Sequence, residues 1–257
     1  MLRTVWICLL LSFSAANAEM MDEFSAEYEI FYGDYNLGQI QYRLQHHDNG
    51  LYRFHLDSKI RFLLLFSDHR KIVAEFNYQQ HQLKPVVYNL KRAGTGTNYT
   101  EDIRFDSASR EIRSQYKNHH IAIEYNTAIK DSLSMQLQLL LDLRRGIDYP
   151  QYLLLENNTL KTLQFERIRE ETIAVEGKKY RCVMYQLRQK ENNHSSRMWF
   201  AIDYGFQPVL MAHYKDDKKR FNARLVSYQE NPSNEKSNFN YALQNNSKAV
   251  DILDSRR

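Results

Sequence analysis

Residues Asp131 to Arg145 read DSLSMQLQLLLDLRR and are closed by Gly146. The first half alternates polar with apolar residues, so a strand remains an open alternative. Leu, Gln and Met favour helix. Asp131 can accept hydrogen bonds from the first free backbone amides, and Gly146 can take the left-handed conformation that ends a helix. A helix is therefore expected here. At about 100° per residue, Leu133, Leu137, Leu140 and Leu141 gather on one side, and Met135, Leu139 and Leu143 widen the arc past half the circumference. Ser134, Gln138, Asp142 and Arg145 are left as a polar strip. A helix apolar over so wide an arc must be largely buried.

The rest of the chain supplies what buries it. Aromatic residues make up 13% of the sequence, with 18 Tyr, while Gly and Pro are few at 8 and 4. Tyr28, Ile30 and Tyr32 alternate with Glu29 and Phe31, and Ile40, Tyr42 and Leu44 with Gln41, Arg43 and Gln45. Such period-two runs favour strands. The two flank Gly33-Asp34-Tyr35-Asn36, which reads as a hairpin connection. Similar runs recur over 51–66, 70–79, 84–92, 98–106, 111–116, 119–125, 160–168, 171–176, 179–190, 196–203, 206–214 and 220–229. Short polar turns such as Asp48-Asn49-Gly50 and Glu176-Gly177-Lys178 separate them. Many strands with short links predict a mainly β protein. The expected form is a large curved antiparallel meander or half-barrel packed around one central helix.

The start of the chain gives an address. A charge at Arg3, an apolar run from Val5 to Phe13 and the small-x-small Ala16-Asn17-Ala18 read as a secretory signal cut after Ala18. The expected organisation is a signal peptide over 1–18, one β-rich domain over 19–229, and a polar, disordered tail over 230–257. The expected location is the periplasm. No later apolar run reaches spanning length, so no integral membrane segment is expected after cleavage. Cys8 leaves with the signal, so Cys182 is the single cysteine of the mature chain and no intrachain disulfide forms. A buried, inert thiol is its plain reading. The formal net charge is +4, with Lys and Arg dispersed among acids. That pattern carries no nucleic-acid footprint.

Four places resemble the exported domain of unknown function 3108 family. Tyr28-Glu29-Ile30-Phe31-Tyr32-Gly33, then Leu37-Gly38, is similar to its first hairpin. Leu83-Lys84-Pro85-Val86-Val87-Tyr88, then Ile103-Arg104-Phe105-Asp106, is similar to its middle strands. Asp131-Ser132-Leu133-Ser134, with Leu139 and Arg144 beyond, is similar to its helix, where Ser132 stands in place of the common Pro. Met198-Trp199-Phe200-Ala201-Ile202-Asp203, then Gln207-Pro208-Val209, is similar to its penultimate hairpin. The resemblance spans about 28–229. It implies a periplasmic, mainly β protein and assigns no activity. Curved half-barrels that carry lipoproteins or lipids in the envelope are similar at the level of fold alone.

Catalytic and metal motifs fail on their own chemistry. None of the eight Gly forms a nucleophile elbow, a dinucleotide fingerprint or a phosphate loop. His46-His47 and His119-His120 are adjacent pairs, and strand neighbours point to opposite faces. No cofactor and no metal are expected, and no catalytic residue is assigned. The expected role is a binding or envelope-assembly module holding an apolar or lipid-like ligand. The alternatives are a structural or protein-interaction domain without a small ligand and, after that, a hydrolase. The partners expected are a lipid or an envelope protein. Phe62, Leu64, Phe66, Trp199 and Arg144 are the candidate ligand-binding residues. The run Leu63-Leu64-Leu65-Phe66 is also readable as a strand buried on both faces. Asp131, Gly38 and Pro208 are assigned structural roles.

Overall fold

The computed structural model describes residues 21–47, 49–62, 66–189 and 193–231. The expected signal peptide, nearly all of the expected tail, and Leu64 lie outside the described residues.

The chain runs β1 (Phe24–Tyr32), β2 (Tyr35–His46), β3 (Tyr52–Phe62), β4 (Phe66–Gln79), β5 (Gln82–Gly94), β6 (Tyr99–Asp106), β7 (Glu111–Tyr116) and β8 (His119–Glu124). A two-residue strand β9 (Ile129–Lys130) leads into the helix α1 (Ser132–Arg144). There follow β10 (Gln151–Glu156), β11 (Thr159–Val175), β12 (Lys178–Gln189), β13 (His194–Ala201), a 3-10 turn Ile202–Tyr204, β14 (Gln207–Lys215) and β15 (Lys218–Glu230). All strands join one 15-stranded sheet in the order β8-β7-β6-β5-β4-β3-β2-β1-β15-β14-β13-β12-β11-β10-β9. The first strand and the last pair in the middle, so two meandering wings spread from the β1–β15 ladder. Every ladder is antiparallel except the short β9–β10 pair. The expected curved sheet around one helix is what forms.

The helix explains the curvature. Ten residues of α1 are buried, and a side chain buried all round needs sheet on more than one side. Leu133, Leu137, Leu140 and Leu141 join a core with Phe24, Tyr28, Phe54 and Phe76. Met135, Leu139 and Leu143 pack instead with Tyr152, Phe165, Val183, Tyr185 and Phe200. The arc of Met135, Leu139 and Leu143 thus faces the wing of β10 to β13, while the other arc packs into a core drawn from both wings. The polar strip does not face water. Ser134, Gln138 and Asp142 are buried with the leucines, and Gln136 and Arg144 are the exposed positions of the helix.

Three local expectations change. The run 51–66 divides at Phe62, where Phe62 pairs with Phe66 across the end of the β3–β4 hairpin. Phe62 and Phe66 are 39% and 43% exposed, so neither is a buried-strand residue. The runs 160–168 and 171–176 are one 17-residue strand, β11, continuous through a register shift between Arg167 and Arg169. Strand β10 was not anticipated. Its Tyr152-Leu153-Leu154-Leu155 is apolar without alternation, as expected of a strand covered on both faces.

The sheet closes on itself without a ladder. The β10–β11 turn lies against β6, β7 and β8. Asn157 N–H donates to Glu101 Oε1 at 2.5 Å, Ser114 Oγ donates to Asn158 Oδ1 at 2.7 Å, and Asn158 Nδ2 donates to the His119 carbonyl at 2.9 Å. The sheet is therefore barrel-like, closed by side-chain bonds.

Candidate functional site

The space between α1 and the β1–β2 side of the sheet holds the candidate site. Its sheet wall is aromatic because the inward positions of β1, β2 and β3 are Phe24, Tyr28, Tyr42 and Phe54. Their rings touch edge-on or stacked, with centroids 5.7–5.8 Å apart. Leu137 and Leu140 of α1 face them, and Phe200 and Met211 close the side toward β13 and β14. This inner cleft has a volume of about 60 Å³. Beside it, with Phe24, Leu137 and Leu140 lining both, lies a wider mouth of about 230 Å³, where Arg144, Arg145, Tyr228, Asp22, His81 and Glu230 stand around Leu44 and Leu141.

The cleft is apolar, with one polar corner. Tyr28 lies 1% exposed; its hydroxyl donates to the Pro208 carbonyl and accepts from Gln207 Nε2, both at 2.8 Å. Burial pushes the Tyr28 phenol well above its usual range and that of Tyr42 up to about 12, so both rings stay neutral. Gln207 Oε1 is buried and, among the described residues, finds no donor. Among the described residues it is the one buried side-chain acceptor of the cleft lining left without a partner.

Arg144 and Trp199 separate in the structure. Arg144 ends α1 at the cleft mouth, where its Nε donates to the Gly205 carbonyl at 2.7 Å. Trp199 does not line the cleft. It is paired in register with Met184 and Leu210, and its indole N–H donates to Glu171 Oε1 at 2.8 Å. Successive strand residues point to opposite faces, so the residue that enters the cleft is Phe200, its neighbour. Phe62 and Phe66 stand together at the end of the β3–β4 hairpin, with Tyr32 6.1 Å from Phe62. Sequence reasoning missed Phe24, Tyr42, Phe54, Phe200 and Met211. The alternation of β1, β2 and β3 holds the signal, since Tyr28 and Tyr42 fall on the one-face positions of their period-two runs.

The residues assigned structural roles have clear local reasons. Asp131 caps α1, accepting from Leu133 N at 3.0 Å and Ser134 N at 2.9 Å, while Ser134 Oγ donates to Oδ2 at 2.6 Å. Gly38 sits at a bulge in β2 with φ +144°, and a side chain there would collide with the Lys59 carbonyl. Pro208 lies opposite Phe200 where β13 and β14 change register.

Other reactive groups are occupied or muted. Cys182 is fully buried, and burial pushes its thiol up to about 11. Lys130 is buried with Nζ on the Thr127 carbonyl, and desolvation brings it down to about 8. Among the described residues, no group of three His, Cys, Asp or Glu side chains is placed to hold a metal.

Fold and cleft together define a barrel-like β protein wrapped on a buried helix, with an apolar slot along that helix. The model of the family described as "Protein of unknown function (DUF3108)" matches residues 27–242, and the chain belongs to that family. The fold is similar to a solved structure described as a beta-barrel-like protein of domain of unknown function DUF1849 from Brucella abortus. That likeness has a TM-score of 0.57 at 8% identity, covering 82% of this chain and 99% of the other. No curated protein matches the chain.

Proposed function

We propose that the protein binds one amphiphile, with its apolar chain lying between α1 and the aromatic wall of β1, β2 and β3. The observation that carries this is the adjacency of the apolar inner cleft to a polar-rimmed pocket that shares Phe24, Leu137 and Leu140 with it. Ligand sites are concave and mostly apolar with a few placed polar groups. The cleft is small by that standard, so an acyl chain enters only as the lining side chains move apart. Met211, with its flexible thioether, is the lining residue best able to make room. The headgroup would meet Arg144 and Arg145 at the mouth. The signal-like start at residues 1–18 supports a role outside the cytoplasm, in the bacterial envelope, where such amphiphiles are handled.

The test is native mass spectrometry with solvent extraction of the purified chain, followed by titration with a fluorescent fatty acid. Bound amphiphile, or saturable binding of the probe, is expected. Ala26→Val narrows the inner cleft and should weaken the probe about tenfold, equivalent to 1.4 kcal/mol, while the melting temperature falls by only a few degrees. Arg144→Glu should weaken an anionic probe and spare a neutral one. Binding that neither variant changes would place the ligand elsewhere, and no binding at all would end this reading.

A further inference from the structure

We propose that two copies of this chain associate through the free edge of β8, pairing antiparallel about a twofold axis at Ala122. Among the described residues, β8 is a terminal strand of the sheet and pairs with β7 alone. Its two-residue turn is closed by Tyr116 and His119, and Tyr125 N–H donates to the Arg110 carbonyl at 3.0 Å. The odd-numbered residues of β8 therefore bond to β7. The even ones, His120, Ala122 and Glu124, turn their N–H and C=O groups away from the sheet. All three are exposed. The bond from Asn158 to β8 reaches His119, and its partner Ser114 is a buried residue of β7, so the covered part is the face and not the edge.

Free edges invite pairing and are usually guarded by Lys, Pro or extreme shortness. At the other end of the sheet, β9 is guarded by its length of two residues. β8, with the sequence His-His-Ile-Ala-Ile-Glu, has neither Pro nor Lys.

The sequence of β8 also selects its occupant, because it is complementary to itself. With the axis at Ala122, His120 faces the partner's Glu124 and Ile121 faces the partner's Ile123. A twofold perpendicular to the sheet keeps faces in register, so each pair lies on one side. His opposite Glu sets an imidazole N–H donor against a carboxylate, which in the single chain holds the exposed Arg110 at 3.3 Å, and Ile opposite Ile is a favourable β-branched pair. All three outward residues of each copy then bond, two hydrogen bonds for each facing pair. Moving the axis to Ile121 or Ile123 carries Glu124 or His120 past the end of the pairing. On the isoleucine face lies a cavity of about 640 Å³ lined by Ile121, Ile123, Ile129, Leu155 and Leu160. The partner's isoleucines would extend that apolar lining.

So short an interface belongs to the small, transient class, and the expected dimer dissociates on dilution. Sedimentation of the full chain should show a mass that doubles as concentration rises. In a hydrogen-bonded antiparallel pair the Cα atoms lie about 5.5 Å apart, which suits a disulfide. Ala122→Cys, made with Cys8→Ser, should therefore oxidise to a covalent dimer faster than Ala108→Cys in the exposed β6–β7 turn. Cys182 is buried and takes no part. Glu124→Arg should abolish dimerisation with an unchanged circular dichroism spectrum, and adding His120→Glu should restore it. A wild-type chain monomeric at every concentration, or cross-linking at residue 122 no faster than at 108, would overturn the proposal. So would a Glu124→Arg variant that still dimerises.

Discussion

Asp131 does more than a surface cap does. It is wholly buried, and one carboxylate satisfies two backbone amides and a hydroxyl at once. Desolvation raises its pKa above the usual carboxylate range, while the bonds from Ser134 and Leu133 oppose that rise. Asp131→Ala should cost about 2 kcal/mol, at the upper end for a cap, because the freed donors stay buried. Asp131→Asn should cost much less. Its carbonyl oxygen still accepts from both amides, and the Ser134 hydroxyl can reverse to accept from the new NH₂. Equal losses in the two variants, read by thermal or denaturant unfolding, would show that the charge matters more than the cap. The cap could be read in the sequence because its cause is local: an acceptor just before an apolar run. Trp199 could not be placed, because the sequence does not say which face of β13 turns toward the helix.

At the scale of the element, α1 was legible in its apolar arcs and not in its polar strip. Leu133, Leu137, Leu140 and Leu141 on one side and Met135, Leu139 and Leu143 on the other were set by period alone. Whether Gln138 meets water depends on the β4–β5 turn, which is 55 or more residues away in sequence. In the fold, Gln138 Oε1 accepts from Leu83 N at 2.8 Å, and its Nε2 donates to the His81 carbonyl and to Asp142 Oδ1, each at 3.0 Å. Tyr152 then donates to Asp142 Oδ2 at 2.7 Å. The strip is thus a buried chain of bonds joining helix, turn and β10. Gln138→Leu should cost about 2–3 kcal/mol, since it leaves the buried Leu83 amide without an acceptor. Leu137→Asp should cost about 3 kcal/mol or more, by burying an unpaired charge in the cleft wall. A mild Gln138→Leu beside a severe Leu137→Asp would mean that the strip faces solvent after all. β10 went unread for a related reason: a strand buried on both faces loses the alternation that would announce it.

For the whole molecule, the closure of the sheet has a pH dependence that follows from where Glu101 sits. Glu101 is 1% exposed beneath the β10–β11 turn. Desolvation, assisted by the like charge of Glu156, raises its carboxyl from 4.5 to about 7, against the bonds from Asn157 and Asn158 and the pull of Lys161. The folded chain therefore keeps this proton up to about pH 7, whereas the unfolded chain releases it near 4.5. Between those values the unfolded state binds fewer protons, so stability falls as pH rises, and the loss is complete above about 7. Glu101→Gln keeps an oxygen for the Asn157 amide and removes the titration. Its melting temperature should exceed that of the wild-type chain at about pH 8 and converge with it toward about pH 5. Parallel pH profiles for the two chains would mean that Glu101 ionises freely in the fold, and that the two wings are not held together over a buried carboxyl. A closure made of a few side-chain bonds, rather than a backbone ladder, is the kind that one titrating group can loosen.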